Sequence, residues 1–175
     1  TPIAVRRPVA TMALTLMLAV SHRLIEKHHL TRAGRWAENA DFMGTGLTGR
    51  KLGVLGAGSI GSEILRLVAP FDMELIACDP YVDAAHLAAL NTKKVEAREL
   101  FSEADFVIIC TALSAETWHF VDAEKLGWMK PGAALINVAR GPVINEPELV
   151  AALQQGKIKA AALDVFEIEP VEADT

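Results

Sequence analysis

Lys51-Leu-Gly-Val-Leu-Gly56-Ala-Gly58-Ser-Ile-Gly61-Ser-Glu-Ile-Leu-Arg-Leu-Val-Ala-Pro70-Phe-Asp-Met-Glu-Leu-Ile-Ala-Cys-Asp79 begins as a short apolar block, passes three spaced glycines, and ends a second apolar block in an acid. Leu52 to Leu55 suits a strand buried on both faces, and beyond the glycines Ile60, Ile64, Leu65 and Val68 recur at helical spacing. Strand, Gly56-x-Gly58-x-x-Gly61 turn and helix, in that order, make a dinucleotide-binding unit. The first glycine permits the tight turn, the second lets backbone approach a pyrophosphate, and the third lets the helix pack close to the strand, so that its free amides and dipole face the phosphates. Asp79 closes the second strand, Glu74 to Cys78, eighteen residues beyond Gly61. A carboxylate there accepts hydrogen bonds from the adenosine ribose and repels a 2′-phosphate, which predicts NAD rather than NADP. Asp79-Pro80 is also a common turn opener, so the acid has a second reading as a turn cap.

The same alternation runs outward along the chain. Strands are expected at Leu52 to Leu55, Glu74 to Cys78, Lys94 to Val95, Phe106 to Cys110, Ala133 to Val138 and Ala160 to Val165. Helices are expected at Ser59 to Ala69, Ala84 to Leu90, Ala97 to Ala104, Ala123 to Met129 and Glu146 to Gln155. Regular strand and helix alternation means right-handed βαβ units, hence an α/β, Rossmann-type doubly wound parallel sheet in three αβα layers, with strand order 3-2-1-4-5-6. The ligand then lies across the carboxyl edge of the strands.

The 175 residues fit one domain with a sizeable core, and 51% hydrophobic residues suit a sheet covered on both faces. A formal charge of -5 leaves no basic patch for nucleic acid. Cys78 and Cys110 each end an expected buried strand, without CxxC or Cys/His spacing, and read as small core residues in a reducing, cytoplasmic compartment, with no metal site. Val5-Arg6-Arg7-Pro8 followed by apolar Val9 to Val20 has the outline of a signal peptide, but that run is too short to span a bilayer and no small-residue cleavage site follows. The pattern continues through Leu24, Ile25 and Leu30, with Pro8 near the start and Gly34 beyond the end, as in one buried helix of a non-membrane protein. Thr31 to Gly49, holding Trp36 and Phe42, reads as irregular, and suits either a subunit contact or packing on its own domain.

A second constellation follows. Ala133 to Val138 leads into Asn137-Val138-Ala139-Arg140-Gly141, placing an arginine at the ligand-binding edge, where its planar fork can grip a carboxylate; a surface cap is the alternative. Ala160 to Val165 ends near Asp164, expected to be buried and to need a partner, and runs on into Phe166-Glu167-Ile168-Glu169-Pro170. Two carboxylates and an arginine meet on one edge.

These motifs, with Leu113-Ser114-Ala115-Glu116-Thr117 and Met129-Lys130-Pro131-Gly132-Ala133 in the same succession, resemble the NAD-binding domain of the D-isomer-specific 2-hydroxyacid dehydrogenases over essentially the whole chain. The resemblance implies that Arg140 holds the substrate carboxylate and carbonyl and that Glu169 hydrogen-bonds the catalytic histidine. It places Ser59 and Ile60 at the pyrophosphate with Gly56, Gly58 and Gly61, and Asp79 at the ribose. Cys110 and Thr111, then Val138 and Ala139, would lie beneath adenosine and nicotinamide, with Asp164 near the carboxamide. The implied reaction is hydride transfer between NAD(H) and a small 2-hydroxy or 2-keto acid, in a homodimer formed through this domain.

The departures from the family pattern matter as much. The family's catalytic histidine stands in a Pro-His segment downstream of the Glu-Pro pair, and none of His22, His28, His29, His86 or His119 has that setting. Ala112 replaces the usual proline before Leu113. The chain starts at Thr1 and stops soon after Glu169-Pro170, so both ends look cut, and residues 1–175 are expected to be an NAD-binding domain that binds NAD without turnover. Glu169 in place of Gln argues against the formate dehydrogenase branch. The rival readings are an NAD-sensing, corepressor-like interaction domain and a free-standing nucleotide-binding module.

Overall fold

Buried apolar strands separated by amphipathic helices leave the chain one economical arrangement, a parallel sheet with helices on both faces. In the computed structural model, described over residues 3–171, the strands are β1 (Lys51–Leu55), β2 (Glu74–Cys78), β3 (Thr92–Lys94), β4 (Phe106–Ile109), β5 (Ala134–Asn137) and β6 (Ala160–Leu163). They pair only in parallel, in the order β3-β2-β1-β4-β5-β6, as the alternation predicts. The α-helices are α1 (Ile3–Ser21), α2 (Leu24–Arg32), α3 (Ser59–Val68), α4 (Ala84–Ala88), α5 (Ala97–Glu103), α6 (Ala123–Trp128) and α7 (Glu146–Gln154).

Successive residues of the central strand β4 serve opposite faces: Phe106 and Ile108 pack with α1 and α3, whereas Val107 and Ile109 pack with α5, α6 and α7. On the first face Ala10, Ala13 and Met17 of α1 meet Ile64, Leu65 and Val68 of α3 over Leu52, Val54 and Ile136. On the second, Leu100, Phe101, Leu126 and Leu149 close over Leu55 and Leu135. Each such Leu, Ile or Phe contributes roughly 1.5 to 3 kcal/mol by leaving water, which holds the carboxyl ends of β1, β2, β4 and β5 in fixed register. Asp83, Asp122 and Asn145 cap α4, α6 and α7 by accepting from the amides of His86, Lys125 and Glu148.

The N-terminal region differs from expectation. The single helix reaching Leu30 is two, because Arg23 takes a left-handed conformation (φ 54°) and breaks it; the Arg23 guanidinium is held by Glu26, by the Asp41 carbonyl and against the Phe42 ring. Neither Gly nor Pro marks that break. Pro8 lies inside α1 rather than near its start. Because α1 begins at Ile3, its 18 residues Ala4–Ser21 are long and apolar enough to cross a membrane by length and composition, which corrects the reading of Val9 to Val20 as too short. Here, however, α1 is a core element, with Ala10, Ala13 and Met17 fully buried. Glu63 of α3 anchors it from below: Arg7, and with it Arg6 and Arg66, surround this buried carboxyl and hold it below the usual carboxylate range. The stretch Thr31 to Gly49 is also less irregular than expected, since Trp36–Phe42 forms a 3-10 helix. At the other edge, β3 starts and ends earlier than Lys94 to Val95, and β6 stops at Leu163.

Candidate functional site

The turn after β1 is set by close approaches that admit no side chain. Gly56 has φ 90°, and a Cβ there would stand 2.7 Å from the Thr111 nitrogen; a Cβ on Gly61 would stand 2.1 Å from the Gly56 carbonyl oxygen. At Gly58 nothing lies within 4 Å, so the backbone is open on its outer side. Gly58 also caps α3 without a side chain, so the first amides of α3 have no capping side chain among the described residues, and Ser59 and Ile60 line the adjoining cleft.

That cleft, about 1180 Å³, runs across the carboxyl ends of β1, β2 and β4. Gly56, Gly58, Ser59, Ile60, Asp79, Cys110 and Thr111 all line it, while Gly61 sits buried behind it. Asp79 is 9% exposed, lines the cleft and caps the turn that follows β2. Its Oδ2 accepts from the Ala57 amide at 2.8 Å, and its Oδ1 accepts from Tyr81 at 2.8 Å and Val82 at 3.2 Å. Three amide donors fix the carboxylate at the cleft wall, with one acceptor direction left over. Asp79, Glu96 and Glu116 face a single cleft lysine, Lys94, whose Nζ donates to the Val82 carbonyl at 2.6 Å. An excess of negative charge at that end disfavours a further phosphate.

Both cysteines border the cleft rather than lying wholly in the core. Burial raises the Cys78 thiol, with Glu96 and Asp79 adding to the effect and Lys94 opposing it, and burial pushes Cys110 up to about 12. Both thiols therefore stay protonated and unreactive at neutral pH. Where Ala112 stands in place of proline, Thr117 orders the loop: its Oγ1 donates to the Ala112 carbonyl at 2.6 Å and accepts from the Ser114 amide at 2.7 Å.

A smaller recess of about 380 Å³ beside β5 and β6 brings Arg140 and Glu169 together with Glu167. Arg140 is exposed, and its Nη1 donates to the Ala139 carbonyl at 2.6 Å, the one hydrogen bond of its fork among the described residues. Val138 and Ala139 are buried at the end of β5, 6% and 8% exposed, and line neither recess. Asp164 corrects the expectation of a buried acid in need of a partner: it is exposed. It follows the last residue of an edge strand, anchored among the described residues through its amide to the Asn137 carbonyl at 2.9 Å, so its side chain keeps its water. The two carboxylates that meet Arg140 are thus Glu167 and Glu169.

Several residues that shape this edge escape sequence reasoning. Asn137, 1% exposed, folds the turn into Arg140, its Oδ1 accepting from Ala139 and its Nδ2 donating to the Arg140 carbonyl. His119 meets Glu167 at 2.7 Å, and Glu167 exchanges hydrogen bonds with Glu146 across the start of α7. Gly141 lies under Phe166, where a Cβ would stand 1.8 Å from the Phe166 carbonyl oxygen. The only sequence signals were a polar residue ending a buried strand and a histidine without an assigned role. Among the described residues no cluster of three or more His, Cys, Asp or Glu is placed to hold a metal ion.

Glycines that leave a backbone cradle, a fixed acid at the second strand and a long cleft fit the adenosine and pyrophosphate of a dinucleotide. Residues 14–175 match the family model of the D-isomer specific 2-hydroxyacid dehydrogenase NAD binding domain. A glyoxylate reductase of Thermococcus onnurineus is 37% identical over 97% of this chain and 53% of its own length. The crystal structure of a glyoxylate reductase from Paecilomyes thermophila superposes with a TM-score of 0.90 at 34% identity, covering 99% of this chain and 52% of that one. A D-lactate dehydrogenase from Aquifex aeolicus, solved with NAD and lactic acid, gives a TM-score of 0.90 at 28% identity over 95% of this chain and 50% of that one. The chain therefore spans about half the length of these relatives.

Proposed function

This chain belongs to the D-isomer-specific 2-hydroxyacid dehydrogenase family as an NAD-binding domain, and from that premise we propose that the whole protein moves a hydride between NAD(H) and a small D-2-hydroxy or 2-keto acid. The observation that carries this reading is the meeting of Arg140 and Glu169 in one recess at the same sheet edge as the dinucleotide cleft. Bound NADH supplies the hydride. The free donors of Arg140 grip the substrate carboxylate and stabilise charge growing on the carbonyl oxygen. Glu169 already accepts from the Phe166 amide at 2.9 Å through Oε1, which holds the carboxylate in place and leaves Oε2 for the family's downstream histidine. Residues 1–175 act as the cofactor half, inactive alone, with substrate-binding elements lying elsewhere in the whole protein. The dehydrogenase relatives give the corepressor-like alternative no support. Assaying the whole protein with NADH against a panel of 2-keto acids tests the reading; no oxidation of NADH with any of them overturns it.

Glu169→Gln should move the pH profile of that reaction. An amide cannot stabilise an imidazolium, so the histidine loses its proton at lower pH. Because reduction requires the protonated histidine, the alkaline limb of the kcat/KM profile should shift to lower pH, measurable by steady-state rates between pH 5 and 9.

Self-association through this domain, in a cytoplasmic setting, is part of the same proposal. Val5 and Met12 of α1, Leu24 and Ile25 of α2, and Trp36 and Met43 beside them are all at least 40% exposed, a run of apolar surface in one N-terminal region. Sedimentation at micromolar concentration should give a dimer, and Ile25→Glu with Trp36→Glu should return a folded monomer.

A further inference from the structure

We propose that Ser62 and His86 are positioning residues for the phosphate-binding loop, acting through a directed chain of hydrogen bonds from His86 to Ser62 to the Ala57 carbonyl. The inference rests on the NAD-binding reading above. Ser62 lies in the first turns of α3, 5% exposed, and its Oγ is 2.7 Å from the Ala57 oxygen and 2.9 Å from His86 Nε2. A carbonyl can only accept, so the one hydroxyl proton goes to Ala57 and the imidazole must donate Nε2–H to Ser62. His86 is itself held in place, since α4 is capped by Asp83, whose Oδ1 accepts from the His86 amide. The chain thus ties α4, which follows the ribose-binding turn, to the glycine turn across 24 residues of sequence.

What it fixes is one peptide plane. The Gly56–Ala57 peptide is already set by Asp79, which takes the Ala57 amide, and the Gly58 carbonyl is set by the Ser62 amide at 2.9 Å. Between them stands the Ala57–Gly58 peptide, whose oxygen is the acceptor of Ser62 Oγ. In a planar trans peptide the C=O and N–H point in opposite directions, so holding the Ala57 oxygen inward toward Ser62 aims the Gly58 N–H away from it, and Gly58 lines the cleft. Glycine on the far side of this peptide allows it to turn over easily once the hydroxyl is gone. Ser62 therefore governs the amide that meets the pyrophosphate, while the ribose end depends on Asp79.

Titration of the purified chain with NAD, ADP and adenosine separates these roles. Ser62→Ala should weaken NAD and ADP by about tenfold, the scale of one hydrogen bond, and leave adenosine within about twofold. His86 is exposed and can be changed without touching the core: His86→Leu should weaken NAD and ADP by about threefold, His86→Gln, which keeps a donor, should restore them, and His86→Leu should add nothing in the Ser62→Ala background. Equal loss of all three ligands in folded Ser62→Ala, unchanged NAD binding in it, or additive effects of the two substitutions would overturn the proposal. Failure of the unsubstituted chain to bind NAD would instead overturn the reading beneath it.

Discussion

Arg140→Lys in the whole protein is expected to lower kcat/KM by about two to three orders of magnitude while leaving NAD affinity nearly unchanged. A guanidinium offers five donors in a rigid fork, one of which the Ala139 carbonyl takes, and the remainder suit two parallel hydrogen bonds to a planar carboxylate. An ammonium keeps the charge but loses the fork, and removing donors aimed at a developing oxyanion costs roughly 3 to 4 kcal/mol. Cofactor binding is spared because Arg140 lies in the smaller recess, apart from the glycine turn and Asp79. Steady-state kinetics beside a calorimetric titration of the same variant check both halves.

Gly61→Ala should abolish measurable NAD binding by the chain. The added methyl would stand 2.1 Å from the Gly56 carbonyl oxygen and 3.2 Å from Val54 Cγ1, and neither the backbone nor that buried strand residue can give way freely. Helix α3 has to move off β1, which carries its first amides out of range of the phosphates. Overpacking of this kind also costs typically 1 to 3 kcal/mol of stability, so thermal unfolding of the variant should occur earlier while circular dichroism keeps its native form. Gly58→Ala, where no atom lies within 4 Å, should leave stability almost unchanged and weaken only the ligand.

The contrast between these two glycines shows what a linear reading can reach. The strand order, the glycine turn and the place of Asp79 were legible because each rests on local pattern: apolar runs too short for helices, three glycines at fixed spacing, an acid at a strand end. The reading of Asp79 as a turn cap holds, since the amides of Tyr81 and Val82 both donate to it, and the same residue lines the cleft. Asp164 was misread because burial at a strand end depends on whether the strand is central or at an edge, and β6 is the edge. Arg23 was missed because its left-handed backbone is sustained by Glu26, Asp41 and Phe42, contacts that no residue type announces. Ser62 with His86, and His119 with Glu167, join residues 24 and 48 positions apart, and only the folded sheet brings them together.

The central claim, that this chain holds NAD across the carboxyl edge of its sheet with Asp79 at the ribose, is tested most directly by calorimetric titration of residues 1–175 with NAD and with NADP. Saturable one-to-one binding of NAD, at least about tenfold (1.4 kcal/mol) tighter than NADP, is the predicted result, because a fixed carboxylate and an acidic cleft end oppose a 2′-phosphate. No binding of NAD by the folded chain, or equal affinity for the two cofactors, would contradict it.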